Sequence, residues 1–110
     1  MAEHQVKERC QLVLQFRGDS LDDYDAMIAL EDDLIAELQG LAKVDGHDMG
    51  SGQANIFILT SDPRGILERA KPVLKRRKCL EIMSAGYRTV GGENYTMIWP
   101  EGSTDEFRVA

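Results

Sequence analysis

Residues Val44 to Asp62 read VDGHDMGSGQANIFILTSD, and the second half of that run decides the fold. In Asn55-Ile-Phe-Ile-Leu-Thr60 both alternating sets of side chains are apolar, Ile56 and Ile58 on one and Phe57 and Leu59 on the other. A strand apolar on both faces belongs near the middle of a sheet. Gly50-Ser51-Gly52-Gln53 just before it reads as a hairpin connection, because glycine supplies the positive φ that such turns need. The weaker pattern of Leu41 to Met49 is then the first strand of that hairpin. Downstream, Ser61-Asp62-Pro63 opens a helix, with Asp62 as cap and Pro63 at the first helical position.

Working outward from this hairpin, Cys10, Leu12, Leu14 and Phe16 are apolar at every second position, which predicts a half-buried strand with Val13 on its second face. Ser20 and Asp23 are placed to cap a first helix in capping-box fashion. Its apolar residues fall at Tyr24, Met27, Ile28, Leu34, Ile35 and Leu38, the spacing of one helical face, and Gly40 is a stop. Glu31 does not fit. At about 100° per residue it lands inside that stripe, where a carboxylate must reach solvent, find a partner such as Arg17 on the first strand, or stay protonated.

The second helix carries Ile66, Leu67, Ala70, Val73 and Leu74 on its apolar side. Pro72 falls on the opposite, solvent side, where a kink is expected rather than a stop. Leu80 to Val90 predicts a fourth strand, Gly91-Gly-Glu-Asn94 a turn, and Tyr95 to Trp99 a fifth strand with Tyr95, Met97 and Trp99 sharing a face. Phe107 and Val109 suggest one short last strand.

The order strand, helix, strand, strand, helix, strand begins as the split βαβ arrangement of a ferredoxin-like sandwich. The expected fold class is therefore α+β in a single domain, residues 1–110, with an antiparallel sheet, two helices on one face and an extra C-terminal hairpin strand. Charge supports the pairing of the helices. Asp22, Asp23, Asp25, Glu31, Asp32, Asp33 and Glu37 lie in the first helix region without one base. The second carries Arg64, Arg69, Lys71, Lys75, Arg76, Arg77 and Lys78 against a single Glu68. In this topology Cys10 and Cys79 lie at opposite ends of the sheet, so no disulfide between them is expected.

A chain of 110 residues is long enough to bury a core without metal or disulfide staples. Its 43% hydrophobic and 29% charged residues are ordinary globular values, which argues against wholesale disorder. The net charge of −6 argues against binding nucleic acid through phosphates and for a basic partner or simple solubility. No apolar run approaches membrane-spanning length, and Met1 to Gln11 lacks the apolar centre of a signal peptide, so a cytoplasmic location with reduced thiols is expected.

Candidate binding residues cluster at the hairpin: Asp45, His47, Asp48, Gly50, Ser51 and Gly52, with Glu31 as an outside member. A histidine beside carboxylates is raw material for proton transfer or metal binding. On a regular strand Asp45 and His47 share a face while Asp48 points the other way. Two ligands are too few for a metal site, so no metal and no cofactor are expected. The glycine turn matches neither phosphate-loop pattern and stands between strands rather than before a helix. The whole run GHDMGSGQANIFILTSDP, Gly46 to Pro63, resembles a segment of small uncharacterised bacterial proteins. That resemblance implies a bacterial, cytosolic origin and brings no activity with it.

Without a complete catalytic set, the first expectation is a non-enzymatic interaction or regulatory module. One version is an acidic inhibitor or immunity-type protein whose helix face Asp22, Asp25, Asp32, Asp33 and Glu37 covers a basic site on a protein partner. The alternative is a small-molecule or anion-binding domain, or a weak enzyme, centred on the Asp45–Gln53 hairpin. A homodimer through Val13, Phe57 and Leu59 is compatible with either.

Overall fold

The computed structural model describes residues 9–17, 24–50 and 52–109. The elements follow in the order β1 (Cys10–Arg17), α1 (Tyr24–Glu37), β2 (Lys43–Gly50), β3 (Gln53–Thr60), α2 (Pro63–Arg76), β4 (Met83–Thr89) and β5 (Thr96–Trp99). They form an α+β structure with an open antiparallel sheet ordered β2-β3-β1-β4-β5. The first four strands have the ferredoxin-like order and β5 extends the sheet beyond β4. The capping residues foreseen at Ser20 and Asp23, and Asp22 of the acidic face, lie outside the described residues.

Register decides which side chains meet the helices. Leu12, Leu14 and Phe16 of β1 stand opposite Ile58, Ile56 and Ala54 of β3, and opposite Tyr87, Ala85 and Met83 of β4. These residues join Met27, Leu30, Leu34 and Leu38 of the α1 region and Ile66, Leu67, Ala70, Val73 and Leu74 of α2 in one core. Both helices therefore cover the same face of the sheet. The inward stripe of α1 is rotated from the one foreseen. Leu30 is fully buried and Glu31 is buried beside it, whereas Ile35 is 49% exposed. Gly40, at φ +81°, ends the helix region in a conformation that L side chains rarely adopt.

Helix α2 begins as its sequence suggests, with the Asp62 carboxylate accepting the Gly65 amide at 3.1 Å. A Cβ at Gly65 would lie within 2.2 Å of that carboxylate, so the glycine makes room for the cap. Pro72 is exposed and the helix continues past it to Arg76. Beyond the helix the expected strand starts late. Leu80–Ile82 is a single 3₁₀ turn, because Lys78 at φ 61° reverses the chain before pairing with β1 begins at Met83.

Two further departures lie at the C-terminal end. The β4–β5 register shifts between Ala85 and Gly86, so Trp99 stands opposite Ala85 on the helix side while Met97 stands opposite Gly86 on the other. The shared face foreseen for Tyr95, Met97 and Trp99 is thereby broken. Phe107 and Val109 form no strand. Instead the segment crosses the second face of the sheet, with the Phe107 ring so close over Gly86 that a Cβ there would lie 2.6 Å from it. Gln15, on the same face, donates to the Arg108 carbonyl at 2.6 Å and to Asn55 at 3.1 Å. Val13, between these anchors, is fully buried, and Phe57 and Leu59 are half-buried.

Both cysteines are free. Cys10 pairs with Thr89 at one end of β4, and Cys79 precedes its other end. Burial pushes the Cys79 thiol above its ordinary value, which keeps it protonated and unreactive.

Candidate functional site

The most distinctive polar arrangement joins α1 to β2. Glu31 lies four residues after Met27 and one after Leu30, so the helical period carries it inward with the core stripe. It is 8% exposed. On β2, His47 stands opposite Ile56, a core residue, and therefore projects toward the helices. The two side chains meet: His47 Nδ1 lies 3.0 Å from Glu31 Oε1. The Tyr24 ring, two helical turns before Glu31, approaches the imidazole edge-on with centroids 5.8 Å apart and planes at 71°.

This contact answers the difficulty posed by a carboxylate in an apolar stripe. A buried carboxylate is tolerated when a hydrogen-bonding, chargeable group meets it, and the imidazole supplies that group. The side chains of His47 and Glu31 are 26% and 11% exposed, so the pair sits at the margin of the core rather than inside it. An ionised Glu31 accepts from the Nδ1–H of His47, and the neutral ring then carries its lone pair on Nε2. Chemically the pair is an oriented imidazole. It can accept a proton or contribute one ligand.

The other hairpin residues do not converge on it. The β2–β3 register shifts between Val44 and Gly46, which makes Asp45 the extra residue of a bulge. The Asp45 carboxylate lies 3.7 Å from Lys43 Nζ. The face shared by Asp45 and His47 on a regular strand is lost to that bulge. Asp48 stands opposite Asn55 on the far side of the sheet. Gly50 pairs with Gln53 across a two-residue turn, and Gly52 adopts φ +75°. Ser51 lies outside the described residues. Among the described residues no three His, Cys, Asp or Glu side chains are grouped to hold a metal ion.

The acidic helix face divides in the same way. Asp33 meets Arg77 at 2.5 Å, and Glu37 lies 3.6 Å from Arg69, so α2 takes up two of the acids. The Arg77 guanidinium, hydrogen-bonded to Asp33, holds that carboxyl below the usual range, and Asp33 raises Arg77 in return. Asp25 and Asp32 are exposed. Asp32 lines a groove of about 710 Å³ with Ile35, Ala36, Gln39, Lys43 and Val44, between α1 and the edge strand β2.

Comparison with known proteins adds no relative. A scan against protein-family models and searches of curated proteins and of solved structures found no match.

Sequence reasoning placed Glu31 and His47 in one candidate set, Glu31 as its outside member, but named Arg17 rather than His47 as the partner of Glu31. The signal for joining them was the register: placing His47 opposite Ile56 turns it toward the helix that carries Glu31. Sequence reasoning missed the amide cluster of Gln15 and Asn55 outright. Both are buried, and Gln15 is held by the carbonyl of Arg108 in the returning C-terminal segment.

Proposed function

We propose that the chain is a small protein-interaction or regulatory module that receives a basic partner on the free side of α1. The observation that carries this reading is the groove between α1 and β2. Ile35 is 49% exposed there, beside the exposed Asp32, on a helix whose neighbouring acids Asp33 and Glu37 already answer α2. An aliphatic anchor with a carboxylate at its rim that pairs with no described residue suits a partner that offers an apolar side chain flanked by lysine or arginine. The inhibitor or immunity-type version of this reading uses Asp32 against a basic catalytic cleft. Such charge complementarity speeds association and weakens with salt.

Co-purification at low and moderate salt, with the wild-type chain and with Ile35→Arg as bait, tests it. The expected result is a partner retained by the wild type, partly released by salt, and lost on Ile35→Arg while the melting temperature is unchanged. Equal recovery by both baits would sink the reading.

The alternative, a small-molecule or anion-binding domain, draws support from the His47–Glu31 pair rather than from the glycine turn. In that reading His47 presents Nε2 to a ligand while Glu31 orients the ring. A thermal-shift screen with divalent metals, nucleotides and phosphorylated metabolites, run on the wild type and on His47→Ala, distinguishes the two. A ligand shift that disappears with His47 favours binding at the pair, and indifference to every compound removes it. Homodimerisation rests on Phe57 and Leu59 alone now that Val13 is covered, and sedimentation at micromolar concentration measures it directly.

A further inference from the structure

The basic run that closes α2 belongs to none of these readings. Lys78 is the one described non-glycine residue in the left-handed region, at φ 61°. That position just past a helix end is where glycine, or sometimes asparagine, is usual, because a Cβ there is strained. The turn is nevertheless well made. Lys78 donates its amide to the Lys75 carbonyl at 3.0 Å, and Cys79 donates to Leu74 at 2.8 Å. It leads into the Leu80–Ile82 turn, which the Trp99 indole holds by donating to the Leu80 carbonyl at 3.1 Å.

Between the helix end and that turn lies a cleft of about 330 Å³, lined by Lys75, Lys78, Leu80, Glu81 and Ile82. Its lining is of two kinds. Leu80 is half-buried and Ile82 is 43% exposed, giving an aliphatic wall in contact with solvent. Lys75 and Lys78 are both exposed, and neither forms an ion pair with a described residue, whereas nearby Arg77 and Lys71 are held by Asp33 and Glu68. Glu81 opposes them, and two ammonium groups against one carboxylate leave the cleft positive. The carbonyls of Val73, Leu74 and Lys75 already accept amides from Arg77, Cys79 and Lys78, which reduces the negative character of the helix end.

We propose that this cleft binds a small amphipathic anion, a carboxylate or phosphate head on a short aliphatic body. The head lies between Lys75 and Lys78, and the body lies along Leu80 and Ile82. The volume is at the lower end for small-molecule sites, which suits a short chain. A lysine kept where glycine would relax the backbone fits a role for its ammonium in binding.

Calorimetric titration of the full chain with octanoate and with octyl phosphate tests this, with acetate and octylamine as controls. Octanoate or octyl phosphate binds, and the stronger of the two identifies the head group. Acetate lacks the body and octylamine has the wrong charge, so neither gives measurable heat. Lys78→Gly raises the melting temperature by relaxing the turn, yet weakens binding about two- to fivefold, the loss of one exposed charge contact. Lys75→Ala weakens binding to a similar extent. Amide NMR shifts caused by the anion fall on residues 75–82. Absence of binding by both octyl anions overturns the proposal. So does equal binding of octylamine, an unchanged affinity in both lysine variants, or shifts elsewhere.

Discussion

Glu31 and Asp33 are two positions apart on α1, yet they inhabit different environments. Two residues turn a helix by about 200°, so one carboxylate meets the edge strand β2 and the other meets α2. Glu31 is enclosed and faces an imidazole. Asp33 faces a guanidinium that is always charged, and both side chains of that pair are about one-third exposed. The shorter contact is the exposed one, but distance does not set the energetic weight. Water screens the Asp33–Arg77 pair and can replace either partner, whereas it reaches Glu31 poorly.

The largest test of this contrast removes the enclosed carboxylate. Glu31→Ala is expected to destabilise the chain by about 2–3 kcal/mol in urea unfolding, the range for losing a hydrogen bond to a charged group together with its packing. A loss under about 0.5 kcal/mol, the range of ordinary surface substitutions, would mean that water already serves Glu31. The double-mutant comparison is sharper. Glu31→Ala with His47→Ala should show a coupling of about 1–2 kcal/mol that persists in moderate salt. The matching cycle on Asp33 and Arg77 should show a smaller coupling that salt diminishes. Equal couplings would remove the distinction between the two pairs.

The sequence carried the element order, because the strands alternate apolar and polar residues and the helices carry caps, stops and opposite charges. It did not carry the rotation of α1. A stripe of Met27, Ile28, Leu34, Ile35 and Leu38 and one of Met27, Leu30, Leu34 and Leu38 are both compatible with a helical period. Packing against β2 and α2 selects between them, burying Leu30 and exposing Ile35. The bulge at Asp45 was equally hidden, since an extra residue changes which face a side chain takes without changing composition. Leu80–Ile82 continues the apolar pattern of β4 and so reads as strand, although the Lys78 turn delays pairing until Met83. Of the candidate site, Glu31 and His47 were visible as residues and their contact was not, because it depends on register and rotation together.

A smaller effect separates the pairs by pH. Arg77 holds Asp33 below its ordinary value in the folded chain. The contribution of Asp33 is therefore fully present above the ordinary carboxylate range, and it is lost as pH falls through the lowered value. Urea midpoints of wild type and Asp33→Asn should differ slightly at neutral pH and converge as pH drops below the ordinary carboxylate range. A gap that widens on acidification would contradict the assigned partner.

The smallest expected effect belongs to the carboxylate between them. Asp32 is about 100° from each neighbour, exposed, and turned to the groove with Ile35 and Val44. Asp32→Asn should change stability by less than about 0.5 kcal/mol in the same urea assay. Three consecutive acids would then have three distinct duties: Glu31 tying the helix to the sheet, Asp33 tying it to α2, and Asp32 tying it to no described residue. A charge that no described residue uses is available for association, so partner capture should fall with Asp32→Asn and fall further with Ile35→Arg. If Asp32→Asn instead destabilised the chain as much as Glu31→Ala, Asp32 would have a structural duty. The groove would then lose its claim to a spare charge.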